Sequence, residues 1–352
     1  MTAGSMKDWA TWSEIQQQPD VWRRWGTRFD PVTVRNWIAE LDIDEIWLTG
    51  AGTSAYIGDI LAHALPHHVP RLRSVPSTDI VSRPDLLTAA RPLVVSFGRS
   101  GNSAESLGVL DALDALRPEA PRLNITCNSV SALATRQGLG PQKTICLPPE
   151  THDAGFAMTS SFTTMLLSML SVLQRAHDFE ALCTRLATLA EDLLNTAEEA
   201  APPAPQRMVF LGTGALAYAA REAALKVMEL SAGQIPAIWD STLGFRHGPK
   251  SFVTEQTHIC IFCTDEPHGA RYEADMAAEL QAQFPASRLT TIDNWKGHGI
   301  PQSAACVLAV LPAQVWAAKW SHDLGLNVDD PFAGRGTLTR VVSGVKLYPV
   351  TP

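Results

Sequence analysis

The residues best placed to do chemistry fall into two groups, one suited to gripping an anion and one to moving protons. The loop Val94–Ser106, VVSFGRSGNSAES, sets Ser96, Ser100, Ser103 and Ser106 around Gly98 and Gly101, between an apolar run and a helical segment. Glycines let the backbone approach an anion, hydroxyls donate to its oxygens, and a helix N-terminus adds partial positive charge. Together these suit a phosphate monoester. No Gly-Lys-Ser/Thr follows, so the loop is not a Walker A loop and a nucleoside triphosphate is not implied. The turn Thr49–Ala55, TGAGTSA, offers a second set of hydroxyls and glycines. Its glycines do not complete G-x-G-x-x-G, which argues against a dinucleotide.

The proton-moving group lies in Ala215–Gly233, ALAYAAREAALKVMELSAG, where Glu222, Lys226 and Glu229 are spaced i, i+4, i+7. On a helix of 3.6 residues per turn they share one stripe. The other positions are mostly Ala, Leu, Val and Met, so the stripe is either a solvated face or the lining of an active site. Downstream, His247 sits in DSTLGFRHGPKSF between Gly244 and Gly248-Pro249. A loop histidine suits proton shuttling, although an isolated one is often a bystander. A carboxylate base and a histidine acid are the minimum set for moving a proton between adjacent carbons.

Those residues need rigid elements to hold them. Short apolar runs at Ile46–Thr49, Leu93–Phe97, Leu123–Cys127 and Thr144–Leu147 read as strands, each followed by a turn and a helical segment. Helices follow at Thr159–Gln174 and near Phe179–Glu199, and the stretch Ala200–Gln206, AAPPAPQ, reads as a linker. The pattern restarts with strands at Met208–Leu211, Thr257–Cys263 and Arg288–Ile292, and Ile46–Gly58 lines up with Met208–Ala220 as a weak internal repeat. The expected architecture is α/β, two tandem halves, each a mostly parallel sheet with helices on both faces. The expected divisions are a helical leader over 1–40, a phosphate-binding half over 41–200 and a half carrying the catalytic helix and His loop over 201–352. In the leader, Ser13–Gln16 resembles a capping box and Asp30-Pro31 a helix start. Trp9, Trp12, Trp22, Trp25 and Trp37 read as anchors docking the leader on the body or on a partner subunit.

At 352 residues and 45% hydrophobic composition the chain can bury two sheets. A net charge of −8 leaves no basic field for nucleic acid or anionic lipid, so any phosphate must be held locally. Met1–Trp12 has no apolar signal core, and Phe156–Leu173, rich in Ser and Thr, reads as a buried helix rather than a membrane span. A cytoplasmic location is therefore expected. Cys260 and Cys263 form a C-x-x-C within a strand, where residues three apart face opposite sides, so neither a metal site nor a redox pair is expected.

The segments LTGAGTSAYIGD, SFGRSGNSAES, ITCN, PETHDAGFAMTSSFTTM, REAALKVMEL, GFRHGPKS and TRVVSGV span Leu48 to Val345. In them the chain resembles the sugar isomerase (SIS) superfamily, specifically the galactosamine-6-phosphate deaminase/isomerase family, also known as tagatose-6-phosphate ketose/aldose isomerase. The resemblance implies two tandem SIS domains and cofactor-free chemistry on a phosphorylated amino sugar or ketohexose. It implies phosphate and sugar contacts from Gly52, Thr53 and Ser54, from Arg99, Ser100, Gly101, Asn102 and Ser103, and from Asn128, Thr159 and Ser160. Glu150, His152 and Asp153 would be rim contacts. Glu229 would be the base between carbons 1 and 2, with Glu222 and Lys226 orienting it, and His247 would open the sugar ring. In synthase-type relatives that histidine comes from the neighbouring subunit, which implies a homodimer or higher homo-oligomer. The stretch Asn294–Gln314 is shorter than its family counterpart, so no role carries over to Arg340 or Lys346.

The expected reaction is conversion of galactosamine-6-phosphate to tagatose-6-phosphate and ammonia. Simple tagatose-6-phosphate isomerisation and glucosamine-6-phosphate deamination are the alternatives within the same chemistry. A non-catalytic sugar-phosphate sensor is the alternative from another class. Sensors of this kind usually carry a helix-turn-helix, and the acidic, Trp-rich leader offers no basic recognition helix.

Overall fold

The computed structural model describes residues 5–88, 91–174, 178–336 and 338–351. The chain opens with α1 (Ala10–Gln16), α2 (Gln18–Arg28) and α3 (Pro31–Ala39). Asp30 caps α3 through Val32 N and Thr33 N, with Pro31 in the first turn where a missing N–H costs nothing. Ser13 lies inside α1 and caps nothing, contrary to the capping box expected there. The orphan N–H groups at the start of α1 are met instead by Asp329 from far along the chain, at 2.9 Å to Ala10 and 2.7 Å to Thr11. The tryptophans dock the leader on the body. Trp22 is fully buried and donates to Thr163 Oγ1 at 3.2 Å, and Trp25 donates to Ser168 Oγ at 2.8 Å.

The first sheet is built from β1 (Glu45–Thr49), α4 (Thr53–Ala64), β2 (Arg71–Ser74), α5 (Ser77–Ser82), β3 (Pro92–Gly98), α6 (Ala104–Leu116), β4 (Arg122–Thr126), α7 (Ala132–Thr135) and β5 (Gln142–Cys146). Its strands are parallel in the order β2-β1-β3-β4-β5. Two helices follow, α8 (Ser160–Leu173), buried at every position, and α9 (Phe179–Glu199). The second sheet comprises β6 (Arg207–Gly212), α10 (Ala215–Leu230), β7 (Ala237–Ser241), β8 (Thr257–Phe262), α11 (Pro267–Gln283) and β9 (Arg288–Ile292). It is also parallel, in the order β7-β6-β8-β9. α12 (Gln302–Ala309) and α13 (Leu311–Asp323) close the helical layer. Together they are long and apolar enough to cross a membrane, yet they are almost wholly buried, as befits core helices.

β2 and β7 were not among the expected strands. Both are edge strands, half-exposed and carrying Arg71, Arg73 and Asp240, so neither shows the apolar run that marks the buried strands. Cys260 packs into the large core beside Phe210, whereas Cys263 packs into the smaller core beside Ile261, so the two thiols face opposite sides of the sheet.

The two sheets present matching turns. Gly52 ahead of α4 and Gly214 ahead of α10 adopt nearly the same left-handed backbone, φ 54° and 60°, which only glycine takes without strain. α4 and α10 pack against each other, bringing the ends of the two sheets to a common seam.

Candidate active site

In an open parallel sheet the ligand crevice lies beyond the carboxyl ends of the strands. Here a cavity of about 320 Å³ opens beyond β1 and β3. One wall is the turn Ala51–Ser54 together with Gly98, Arg99, Ser100, Ser103 and Ser106. A side chain at position 98 would meet Leu133 Cδ1 at 2.7 Å, so glycine there lets the loop pass close under α7. Ser103 caps α6, accepting from Ser106 N at 3.2 Å, which aims the positive end of the helix at the cavity. Ser100 Oγ accepts from Asn102 N at 3.3 Å and keeps its own hydrogen free to donate.

The opposite wall is α10, with Leu225 and Glu229. Its charged stripe is buried rather than solvated: the side chains of Glu222 and Lys226 are fully buried and that of Glu229 is 22% exposed, on the cavity. Lys226 Nζ lies 2.5 Å from Glu229 Oε2 and 3.3 Å from Glu222 Oε1. It also donates to Thr53 Oγ1 at 3.0 Å, and Thr53 donates onward to Glu222 Oε1 at 3.2 Å. Burial pushes the Glu222 carboxyl up to about 7 against the pull of Lys226. Burial also pushes the Lys226 ammonium down, but the two carboxylates outweigh it and the net shift is upward. Glu229 is thus the one carboxylate of the stripe that lines the cavity, and it is paired there with a buried cation.

The remaining candidates divide. Gly52, Thr53, Ser54, Arg99, Ser100 and Ser103 line the cavity. Thr53 is engaged with Lys226 and Glu222, and Ser54 Oγ donates to the sulfur of Met158 at 3.6 Å. Arg99 lines the wall, but its guanidinium donates to the carbonyls of Gly155, Phe156 and Ala157 and to Arg340 O, at 2.9–3.4 Å. Gly101, Asn102 and Asn128 are not among the residues lining the cavity: Asn102 Oδ1 accepts from Ala132 N at 2.8 Å and Asn128 Nδ2 donates to Ser100 O at 3.1 Å. Thr159 and Ser160 lie away from the cavity wall, both bonded to the carboxylate of Asp153, which is itself fully buried and gathers the N-terminus of α8. Asp153 is thus no rim contact, and Glu150 pairs with Arg24 at 3.0 Å. His152 is half-buried, its pKa lowered by burial and by Arg340. His247 is exposed on its loop and does not line the cavity of its own chain.

Comparison with known proteins identifies the family. The SIS domain model matches residues 41–175. The chain is 38% identical to D-galactosamine-6-phosphate deaminase AgaS of Escherichia coli, across 96% of each chain. It is 36% identical to the protein of the same name in Shewanella sp. (strain ANA-3), across 96% of this chain and 92% of that one. The crystal structure of tagatose-6-phosphate ketose/aldose isomerase from Escherichia coli superposes with a TM-score of 0.86 at 33% identity, covering 99% of this chain and 100% of that one. The chain belongs to the AgaS branch of the SIS-domain family.

Within this SIS fold, sequence reasoning passed over the C-terminal segment. Leu338–Val342 returns to the first sheet and lines the cavity, with Val342 O accepting from Ala104 N at 3.1 Å at the head of α6. Arg340, to which no role was carried over, donates to Gly155 O at 3.2 Å and to Asp153 O. Phe156, Met158 and Glu105 complete the walls. The TRVVSGV stretch marked the segment as family-like, but nothing in its spacing said which crevice it would reach.

Proposed function

We propose that the protein converts galactosamine-6-phosphate and water to tagatose-6-phosphate and ammonia. The observation that carries this reading is one cavity with a hydroxyl-lined helix N-terminus on one wall and Glu229, tied to a buried ammonium, on the other. A sugar phosphate can be gripped at its anionic end by Ser54, Ser100, Ser103 and the head of α6 while its carbons 1 and 2 reach Glu229. Two arginines, Arg99 and Arg340, whose hydrogen bonds run to backbone carbonyls, add positive field to this end. The names of the relatives, at 36–38% identity, point to the same substrate.

In this reading His247 of a neighbouring subunit assists ring opening, and Glu229 removes the carbon 2 proton and returns it to carbon 1. The Lys226 ammonium orients Glu229 and moderates the negative charge that develops on the enol-like intermediate. The resulting ketimine at carbon 2 takes up water and releases ammonia, which makes the net reaction hydrolytic. The exposed position of His247 outside its own cavity supports donation across a homodimer. The same reading treats the two sheets as a repeat, with 1–40 as leader, 41–200 as the phosphate-binding half and 201–352 as the half carrying the base. It places the protein in the cytoplasm, where phosphorylated sugars are retained. Isomerisation without deamination is the second reading, favoured by the name of the structurally similar isomerase. Incubation with galactosamine-6-phosphate, with ammonia and ketose phosphate measured separately, tests the proposal. Ketose without ammonia selects the second reading, and neither product rejects both.

A further inference from the structure

The loop 153–158 carries two cavity-lining side chains, Phe156 and Met158, and has no regular secondary structure of its own to hold it. It is gripped instead from two sides. Its carbonyls accept from Arg99 and Arg340 on the cavity side, at 3.0 Å and 3.2 Å to Gly155 O. Its N–H groups are met from below by Glu14 of α1: Ala154 N donates to Oε1 at 2.5 Å, and Gly155 N donates to the same carboxylate at 3.3–3.4 Å. Glu14 is buried, 8% exposed, and does not touch the cavity. The fit is close, since a Cβ at Gly155 would fall 2.2 Å from Thr11 Oγ1. Asp329 locks the same corner by capping α1, and its carbonyl accepts from Phe156 N at 2.9 Å.

We propose that Glu14 is a positioning residue of the sugar-phosphate site, its carboxylate setting the loop that carries Phe156 and Met158 against the two arginines. The leader helix is then part of the site without lining it. A neutral side chain at this position serves the two N–H groups less well, because both lie within reach of charged carboxylate oxygens, whereas a carboxylic acid or an amide has no charge and turns one of those positions into a donor. The groups facing Glu14 are the carboxylates of Asp153 and Asp329, with Arg99, Arg340 and His152 across the loop. Burial first, and Asp153 second, raise the Glu14 carboxyl to about 7 despite the two N–H donors. The grip on the loop therefore loosens as pH falls through neutrality.

The inference rests on the reading of the cavity as a sugar-phosphate site, and its test has one arm independent of that reading. Glu14→Gln is compared with the parent for galactosamine-6-phosphate turnover between pH 5.5 and 8.5, where titrations common to both proteins cancel in the ratio. The KM of the variant should exceed that of the parent by about tenfold at pH 8.5, the order expected when hydrogen bonds to a charged group are lost, and approach it at pH 5.5. A KM ratio independent of pH overturns the proposal, because a merely structural role gives a constant penalty. The second arm uses the unaltered protein without substrate: amide exchange at Ala154 and Gly155, corrected for intrinsic rates, should be faster at pH 6 than at pH 8 relative to the α8 amides. Equal protection at both pH values overturns the proposal even if the variant does not fold. Absence of turnover together with pH-dependent protection would instead fault the assigned substrate.

Discussion

Lys226 of α10 donates a 3.0 Å hydrogen bond to the hydroxyl of Thr53, the first residue of α4, so a single buried ammonium links the two sheets' leading helices. Removing it by Lys226→Met leaves Glu222 buried without its cation. Breaking one side of a buried ion pair costs about 3–5 kcal/mol, measurable as a lower urea midpoint, and turnover should be lost with it. Thr53→Val removes one hydroxyl link and should cost about 1–3 kcal/mol. The Glu222 carboxyl is raised from 4.5 to about 7, so it favours folding fully below pH 4.5 and loses that contribution as pH climbs through 7. Without Lys226 the ionised form is worse still, and the deficit of Lys226→Met should widen from pH 5 to pH 8. An equal deficit at both would mean that Glu222 stays charged throughout.

Ser100 and Ser103 should separate on mutation. Ser103→Ala removes the cap of α6 and should lower stability by about 1 kcal/mol while raising KM. Ser100→Ala touches only a loop contact and should raise KM with the melting temperature unchanged. Losing a hydrogen bond to phosphate costs about 1.5–3 kcal/mol per contact. A double variant with the parental KM would put the phosphate elsewhere.

Glu229→Gln keeps the side chain's size but not its basicity, so exchange of the carbon 2 hydrogen with deuterium oxide should stop. General base catalysis is worth about 10²–10⁴-fold, which sets the expected loss in kcat. His247→Gln should retain exchange on an acyclic substrate and react slowly with the cyclic one. Mixing the two inactive proteins should restore part of the activity, because a mixed dimer holds one site with both native groups. No recovery after subunit exchange has been verified would argue for His247 acting within its own chain.

Activity should survive exhaustive dialysis against EDTA. Among the described residues no group of three or more His, Cys, Asp or Glu converges to hold a metal ion. The ammonium of Lys226 can supply the charge a Lewis acid otherwise would. Loss on chelation, restored by a divalent ion, contradicts the proposed mechanism.

The parts of the fold legible in the sequence are those whose physics is local. The buried strands showed as apolar runs, and the stripe Glu222, Lys226, Glu229 showed as a helical period. Whether that stripe faced water or a cavity depended on α4 lying across it, which no local pattern encodes. Thr159 and Ser160 looked ready for sugar hydroxyls because hydroxyls at a helix start are ambiguous; the buried Asp153 six and seven residues earlier claims them. Arg340 and Glu14 were beyond reach for the same reason. Each acts on loop 153–158 across more than a hundred residues of chain, Glu14 through its carboxylate and Arg340 through its guanidinium.

The bridge from Lys226 to Thr53 also restricts how the molecule can breathe. Swinging the two halves apart would leave Lys226, Glu222 and Glu229 together on α10, but it would take Thr53 from them, open the cluster to water and break the Arg221–Asp59 pair between α10 and α4. Hinge-bending at this seam is therefore opposed by polar contacts as well as by packing. Side chains and the segment Leu338–Val342 at the border of the cavity can adjust to a ligand with this seam left closed.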